Sequence, residues 1–125
     1  MSTPTVFFVA AAGEALTMDF PEGLLDKPTV KSKNISPDIV GDLDFLLTGQ
    51  RQREPVCLRE DEGLVIFRLD EDLVNALADL EDSQMSEVAD EWGLYDLAGT
   101  ISFLGELRAL AEEAQAREEE VFLYF

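Results

Sequence analysis

The sequence predicts a small α+β fold, a mixed or antiparallel sheet packed against three or four helices. Three observations point there. Apolar runs rich in β-branched and aromatic residues lie near both ends of the chain, a third pair of such runs flanks a polar loop in the middle, and the segments between carry apolar residues at spacings of three and four. At 125 residues the chain has the size of one domain, so residues 1–125 are expected to share a single core. Hydrophobic residues make up 46% and charged residues 29%, a globular composition too apolar for disorder.

Residues 5–9 (TVFFV) read as a buried N-terminal strand. Residues 21–34, with two prolines, Gly23 and three lysines, read as loop with a short strand around residues 29–31. Ser36, Pro37 and Asp38 combine a capping hydroxyl, a preset first turn and a carboxylate for the positive helix end, which predicts a helix facing inward through Ile39, Leu43, Leu46 and Leu47 and ending at Gly49. Residues 55–58 and 64–69 frame the polar segment 59–63, the pattern of a central hairpin with an acidic loop.

Asp70 opens a helix with Leu73, Leu77 and Leu80 inward, and a second start at Asp82 or Ser83 leads to Met85, Val88, Ala89 and Trp92 before Gly93. From about Thr100 a longer helix presents Leu104, Leu107, Leu110, Ala111 and Ala114 on one stripe. Residues 121–125 (VFLYF) then form a C-terminal strand inserted in the sheet. In it Phe122 and Tyr124 face away from Val121, Leu123 and Phe125, so if one sheet face is left uncovered, its aromatic surface marks a homodimer or partner contact.

The formal charge is −18, from 27 acidic and 9 basic residues, and its distribution is uneven. Residues 1–59 hold 8 acids and 6 bases, whereas residues 60–125 hold 19 acids and 3 bases, a net of −16. Such a field repels phosphate backbones and anionic membranes and attracts basic surfaces, so neither direct nucleic-acid nor membrane binding is expected. The longest apolar run, residues 6–12, is far below the roughly 18 residues of a bilayer span, no basic segment precedes it, and Cys57 stands alone; a cytoplasmic address is the expectation.

Histidine is absent, which removes imidazole-based nucleophile activation, metal ligation and proton shuttling. Cys57 lies in an apolar strand, where a buried, inert thiol is expected. Acid clusters at Asp42 and Asp44, at 60–62 and at 70–72 read as a solvated helix face, a hairpin loop and a helix N-terminus. Neither a calcium-loop pattern nor a phosphate-cradling glycine motif is present, so no cofactor and no metal is expected, and the chain reads as a non-enzyme. Lys27, Lys31, Lys33, Arg51, Arg53 and Arg59 form modest basic patches of the kind that serve solubility.

The string from Ile39 to Gly49 (IVGDLDFLLTG) resembles the helix ending in Leu-Leu-Thr-Gly of the YfbM-like family, and residues 103–125 are similar in layout. Residues 73–125, with Val88-Ala-Asp-Glu-Trp92, also resemble small hypothetical proteins of actinobacteria, whose last strand is aromatic. Both resemblances imply an α+β fold and bring no catalytic residues.

The leading functional expectation is an acidic binding protein that docks on a basic protein partner, as immunity proteins and antitoxins do. Asp79, Glu87, Asp90, Glu91 and Trp92 are the contact candidates. A DNA mimic, with carboxylates standing in for phosphates in ordered rows, is one alternative, and a carboxylate-based metal-dependent hydrolase is another. Acidity that serves only solubility competes with all three.

Overall fold

The computed structural model describes residues 4–17, 27–33, 35, 37–49, 56–61, 64–94 and 96–124. In chain order the elements are β1 (Pro4–Ala10), α1 (Ala12–Thr17), β2 (Thr29–Lys33), α2 (Pro37–Thr48), β3 (Val56–Asp61), β4 (Leu64–Arg68), α3 (Glu71–Ala78), α4 (Asp82–Trp92), α5 (Leu97–Arg117) and β5 (Glu120–Tyr124). The strands form one five-stranded sheet of order β2-β1-β5-β4-β3, antiparallel at every pairing. The fold is α+β, with the sheet built from the expected N-terminal strand, central hairpin and C-terminal strand and completed by β2.

Strand β5 pairs with β1 on one side, Phe7 opposite Leu123 and Phe8 opposite Phe122, and with β4 on the other, Phe67 opposite Leu123. Because side chains alternate across a strand, the two faces sort themselves. Phe7, Val9, Val121 and Leu123 join Val40, Leu43, Leu73, Leu77, Phe103, Leu104 and Leu107 in the larger core beneath α2, α3, α4 and α5. On the opposite face Phe8, Ala10, Ile66 and Phe122 are fully buried with Ala15 of α1, and Tyr124 packs beside them. Phe8 and Phe122 stack with ring centroids 5.5 Å apart, a cross-strand pair. Among the described residues Phe8 and Phe122 are thus covered within the chain and Tyr124 is half-buried.

The helix boundaries follow their caps. Asp70 Oδ1 accepts the Asp72 N–H at 2.9 Å to start α3. Glu81 and Gln84 form a capping box at α4, and Gly93 closes that helix in the left-handed region at φ 61°. Helix α5 begins at Leu97, earlier than the apolar stripe indicates, because Asp96 is the cap: its Oδ1 accepts the Gly99 N–H at 2.8 Å, and Thr100 is an internal, buried residue whose hydroxyl donates to the Asp96 carbonyl at 2.9 Å.

Three sequence expectations are corrected. Helix α1 was not foreseen: its one turn and a half carries no apolar period, and its start is held by Glu14 Oε1 accepting the Ala11 N–H at 3.3 Å. In α2 the inward face is Val40, Leu43 and Asp44, with Ile39, Leu46 and Leu47 half-buried. Asp44, read as part of a solvated face, is 2% exposed; the Thr48 hydroxyl one turn on donates to its carbonyl at 2.7 Å and lies 3.0 Å from its Oδ1. Ser36 and the hairpin tip at 62–63 lie outside the described residues.

Since Phe122 is fully buried at the middle of the central strand, Phe122→Ala is expected to destabilise the protein by about 3–5 kcal/mol. Urea unfolding followed by circular dichroism would measure it. A loss below about 1 kcal/mol would show that the second core does not hold the sheet.

Candidate functional site

The three bases of residues 60–125 are all engaged. Arg108 Nη1 lies 2.6 Å from Asp82 Oδ1 and also donates to the Leu80 carbonyl at 3.1 Å, tying α5 to the start of α4. Arg117 Nε is 2.8 Å from Glu113 one turn back, and Arg68 approaches Glu120 at 3.9 Å. Glu112 also lies 3.9 Å from Arg108 Nε one turn on.

Two groups of acids stand out on the surface. The first is the outer side of α4. Met85 and Ala89 are buried and Val88 and Trp92 half-buried, which turns Glu87, Asp90 and Glu91 outward together. Spaced three and four apart, these carboxylates are neighbours on the helix surface, and none makes a salt bridge among the described residues. Two of them sit in the last turn, at the negative end of the helix dipole, and that turn contains no base.

The contact set expected from the sequence is therefore divided. Glu87, Asp90 and Glu91 share one exposed face, whereas Asp79 is the exposed C-cap of α3, before α4 begins. Trp92 turns inward. Its ring stacks on Phe103 at 6.0 Å and 16°, and its Nε1 donates to the Ile39 carbonyl at 3.1 Å, so it braces α4 against α5 and α2. This half-buried ring is a packing residue beside the acidic face.

The second place is a groove of about 450 Å3 between the start of α3, the end of α5 and the start of β5. Leu69, Val74 and Ala114 form its apolar floor, while Glu71, Glu118, Glu119 and Glu120 stand around it. Glu119 is half-buried, and its Oε1 is shielded from solvent with no hydrogen-bond partner among the described residues. In the sequence Glu118, Glu119 and Glu120 read only as a polar run before the last strand. The signal available there was a helix ending without the usual glycine: Glu118 is the C-cap of α5 and adopts φ 55°. A second groove, of about 640 Å3, runs between β2 and α5 past Val30, Lys31, Leu110, Glu106 and Glu113, and carries both signs of charge.

The thiol of Cys57 is exposed, against the expectation of a buried one. β3 is an edge strand, and the register shifts between Cys57 and Arg59, so the bulge leaves Cys57 on the outer side with Sγ 3.9 Å from the Arg59 carbonyl. Of the basic patches, Lys27 pairs with Glu14 at 2.8 Å, while Arg51 and Arg53 lie outside the described residues. The Lys27 ammonium holds the Glu14 carboxyl below its usual range, and burial pushes the Tyr124 phenol up; neither belongs to an acidic patch. Among the described residues no group of three or more carboxylates or thiols converges to hold a metal ion, and no helix is long and apolar enough to cross a membrane.

No protein-family model, curated protein or solved structure matches the chain, so the functional argument rests on its own residues.

Two expected outcomes test this geometry. Glu91→Lys replaces a like-charge neighbour of Glu87 by an opposite one and puts a cation at the helix C-terminus, so thermal unfolding at low salt should show a gain of about 0.5–1 kcal/mol. A variant less stable than the parent would mean that Glu91 has a stabilising partner. Cys57 in the folded protein should react with a thiol reagent within about tenfold of the rate in denaturant; protection by several orders of magnitude would return it to the interior.

Proposed function

We propose that the chain is a non-enzymatic acidic binding protein that docks on a basic protein partner, in the manner of immunity proteins and antitoxins. The observation that carries this reading is the face of α4 on which Glu87, Asp90 and Glu91 stand exposed with no salt bridge among the described residues, while the bases of residues 60–125 pair elsewhere. Like charges three and four apart at the wrong end of a helix disfavour the folded state by a few tenths of a kcal/mol each, roughly. Acidity that served only solubility would have no reason to collect where it opposes the helix. A basic surface seated on that face removes the repulsion on binding and gains rate from long-range attraction.

In this reading Glu87, Asp90 and Glu91 are the contact residues, with Asp79 at the rim and Trp92 holding the helix in place from behind. The test is retention of proteins from the source organism's lysate at low and high salt, with the parent chain and the triple variant Glu87→Lys, Asp90→Lys, Glu91→Lys as baits. A basic protein held by the parent at low salt, released at high salt and absent from the variant is the expected result; its identity distinguishes a toxin from a DNA-binding protein. Equal retention by both baits would remove the α4 face from the interface. Nothing retained by either would leave solubility as the origin of the charge.

A further inference from the structure

The outer edge of β2 can be read group by group. The Val9 N–H donates to the Pro28 carbonyl at 3.1 Å, and this fixes the phase of the antiparallel ladder. Hydrogen-bonded pairs recur at every second residue, so they fall at Phe7 with Val30 and at Thr5 with Ser32. The N–H and C=O of Val30 and Ser32 therefore point at β1. Those of Thr29 and Lys31 point the other way, where no strand lies among the described residues. Side chains follow the same alternation. Val30 is on the face of Phe7 and packs against the larger core, which puts Thr29 and Lys31 on the opposite face, both exposed.

Helix α5 borders this edge. In the groove of about 640 Å3 between them, Val30, Ala109 and Leu110 give an apolar wall, and Glu106 is exposed and makes no salt bridge among the described residues. Glu113, two turns on, is already held by Arg117 at 2.8 Å. A cleft between the free edge of a sheet and a helix suits an extended peptide added as a further strand: the edge supplies main-chain hydrogen bonds, and alternate side chains enter the cleft.

The charges decide which strand fits. An added residue opposite Val30 has its side chain on the helix face, where a hydrocarbon stem covers Val30 and Ala109 and a cationic head meets Glu106. An added residue opposite Lys31 lies on the other face beside an ammonium, which favours a carboxylate and repels a second lysine. Pairing with the β2 of a second copy, in the register centred on Lys31, sets lysine against lysine. Lys31 thus opposes self-pairing, as edge lysines do, and selects a strand of alternating acid and base.

We propose that the β2 edge receives an extended segment of a protein partner as an added antiparallel strand, with a lysine or arginine opposite Val30 reaching Glu106 and a carboxylate opposite Lys31. The proposal uses none of the α4 acids and stands or falls apart from the reading above.

The probe is the capped peptide Ac-Val-Glu-Arg-Thr-Val-NH2, which in this register sets arginine opposite Val30, glutamate opposite Lys31 and threonine opposite Thr29. It is added to the full chain in an amide chemical-shift titration. Saturable shifts at residues 28–32 and 106–113 are expected. Methylating the peptide nitrogens of glutamate and threonine, whose N–H groups face β2, should weaken binding at least about tenfold; methylating the arginine nitrogen, which faces away, should weaken it less than about threefold. Glu106→Lys should weaken it about fivefold. Lys31→Pro removes an outward N–H at an edge position that tolerates proline, and should cost about tenfold with circular dichroism showing a folded chain. If that variant does not fold, the methylated peptides decide on the unaltered protein. Equal binding by the peptide methylated at glutamate and threonine would mean charge attraction without strand addition and would overturn the proposal. Shifts centred on residues 83–91 would overturn it too, by placing the arginine on the α4 face. Concentration-dependent broadening of residues 28–32 without peptide would give the edge to a second copy instead, and no saturable shift at millimolar peptide would mean that the edge takes no strand.

Discussion

Everything in the fold depends on β5 lying between β1 and β4. The sheet has two parts of separate origin, the β2-β1 pair and the β4-β3 hairpin, and β5 joins them by pairing with both. Its side chains also belong to two cores at once: Val121 and Leu123 meet the helices, while Phe122 enters the pocket with Phe8, Ile66 and Ala15. A slip of one residue would exchange branched aliphatic residues for aromatic ones on both faces, so the unequal shapes of the two cores fix the register. The pairing of residues 6–10 with residues 120–124 spans nearly the whole chain, so forming it carries the entropy cost of closing a long loop.

That arrangement explains what could be read from the sequence. Strands β1 and β5 are runs of strong β propensity buried on both faces, and α3, α4 and the core stripe of α5 repeat at the helical period, so pattern and structure agree there, although the caps at Glu81 and Asp96 lie before the starts that the pattern indicates. Where they part, a single contact outweighs the pattern. Asp44 looks like a surface acid until Thr48 offers its hydroxyl one turn on. Cys57 looks like a core thiol because its neighbours are apolar, but neither edge position nor a bulge can be seen in a run of residue types. Helix α1 is too short to show a period. In the acidic half, the α4 face was legible because three acids at helical spacing opposite Met85 and Ala89 must point outward. The groove was not, since it is assembled from α3, α5 and β5, and only the tertiary fold places Glu71 beside Glu119.

The charge pattern is also a consequence of the packing. Arg108 is anchored between α4 and α5 by the Leu80 carbonyl and Asp82, whereas Arg117 pairs with Glu113 within α5. Their use inside the structure is what gives the exposed acids a net field. At physiological salt that field is screened beyond about 8 Å, which leaves distant charges little influence and makes local grouping the quantity that matters. Scattered acids would keep the protein soluble equally well; three on one helix face and four around one groove concentrate the potential where a cation can feel it.

The groove and the central strand are one piece of chain. Glu118 ends α5, the Glu119 N–H donates to the Ala114 carbonyl at 2.9 Å to complete the turn, and Glu120 begins β5 opposite Ala10. The same turn therefore sets the direction in which β5 enters the sheet, so the placing of the strand that joins the two sheet halves depends on how α5 ends.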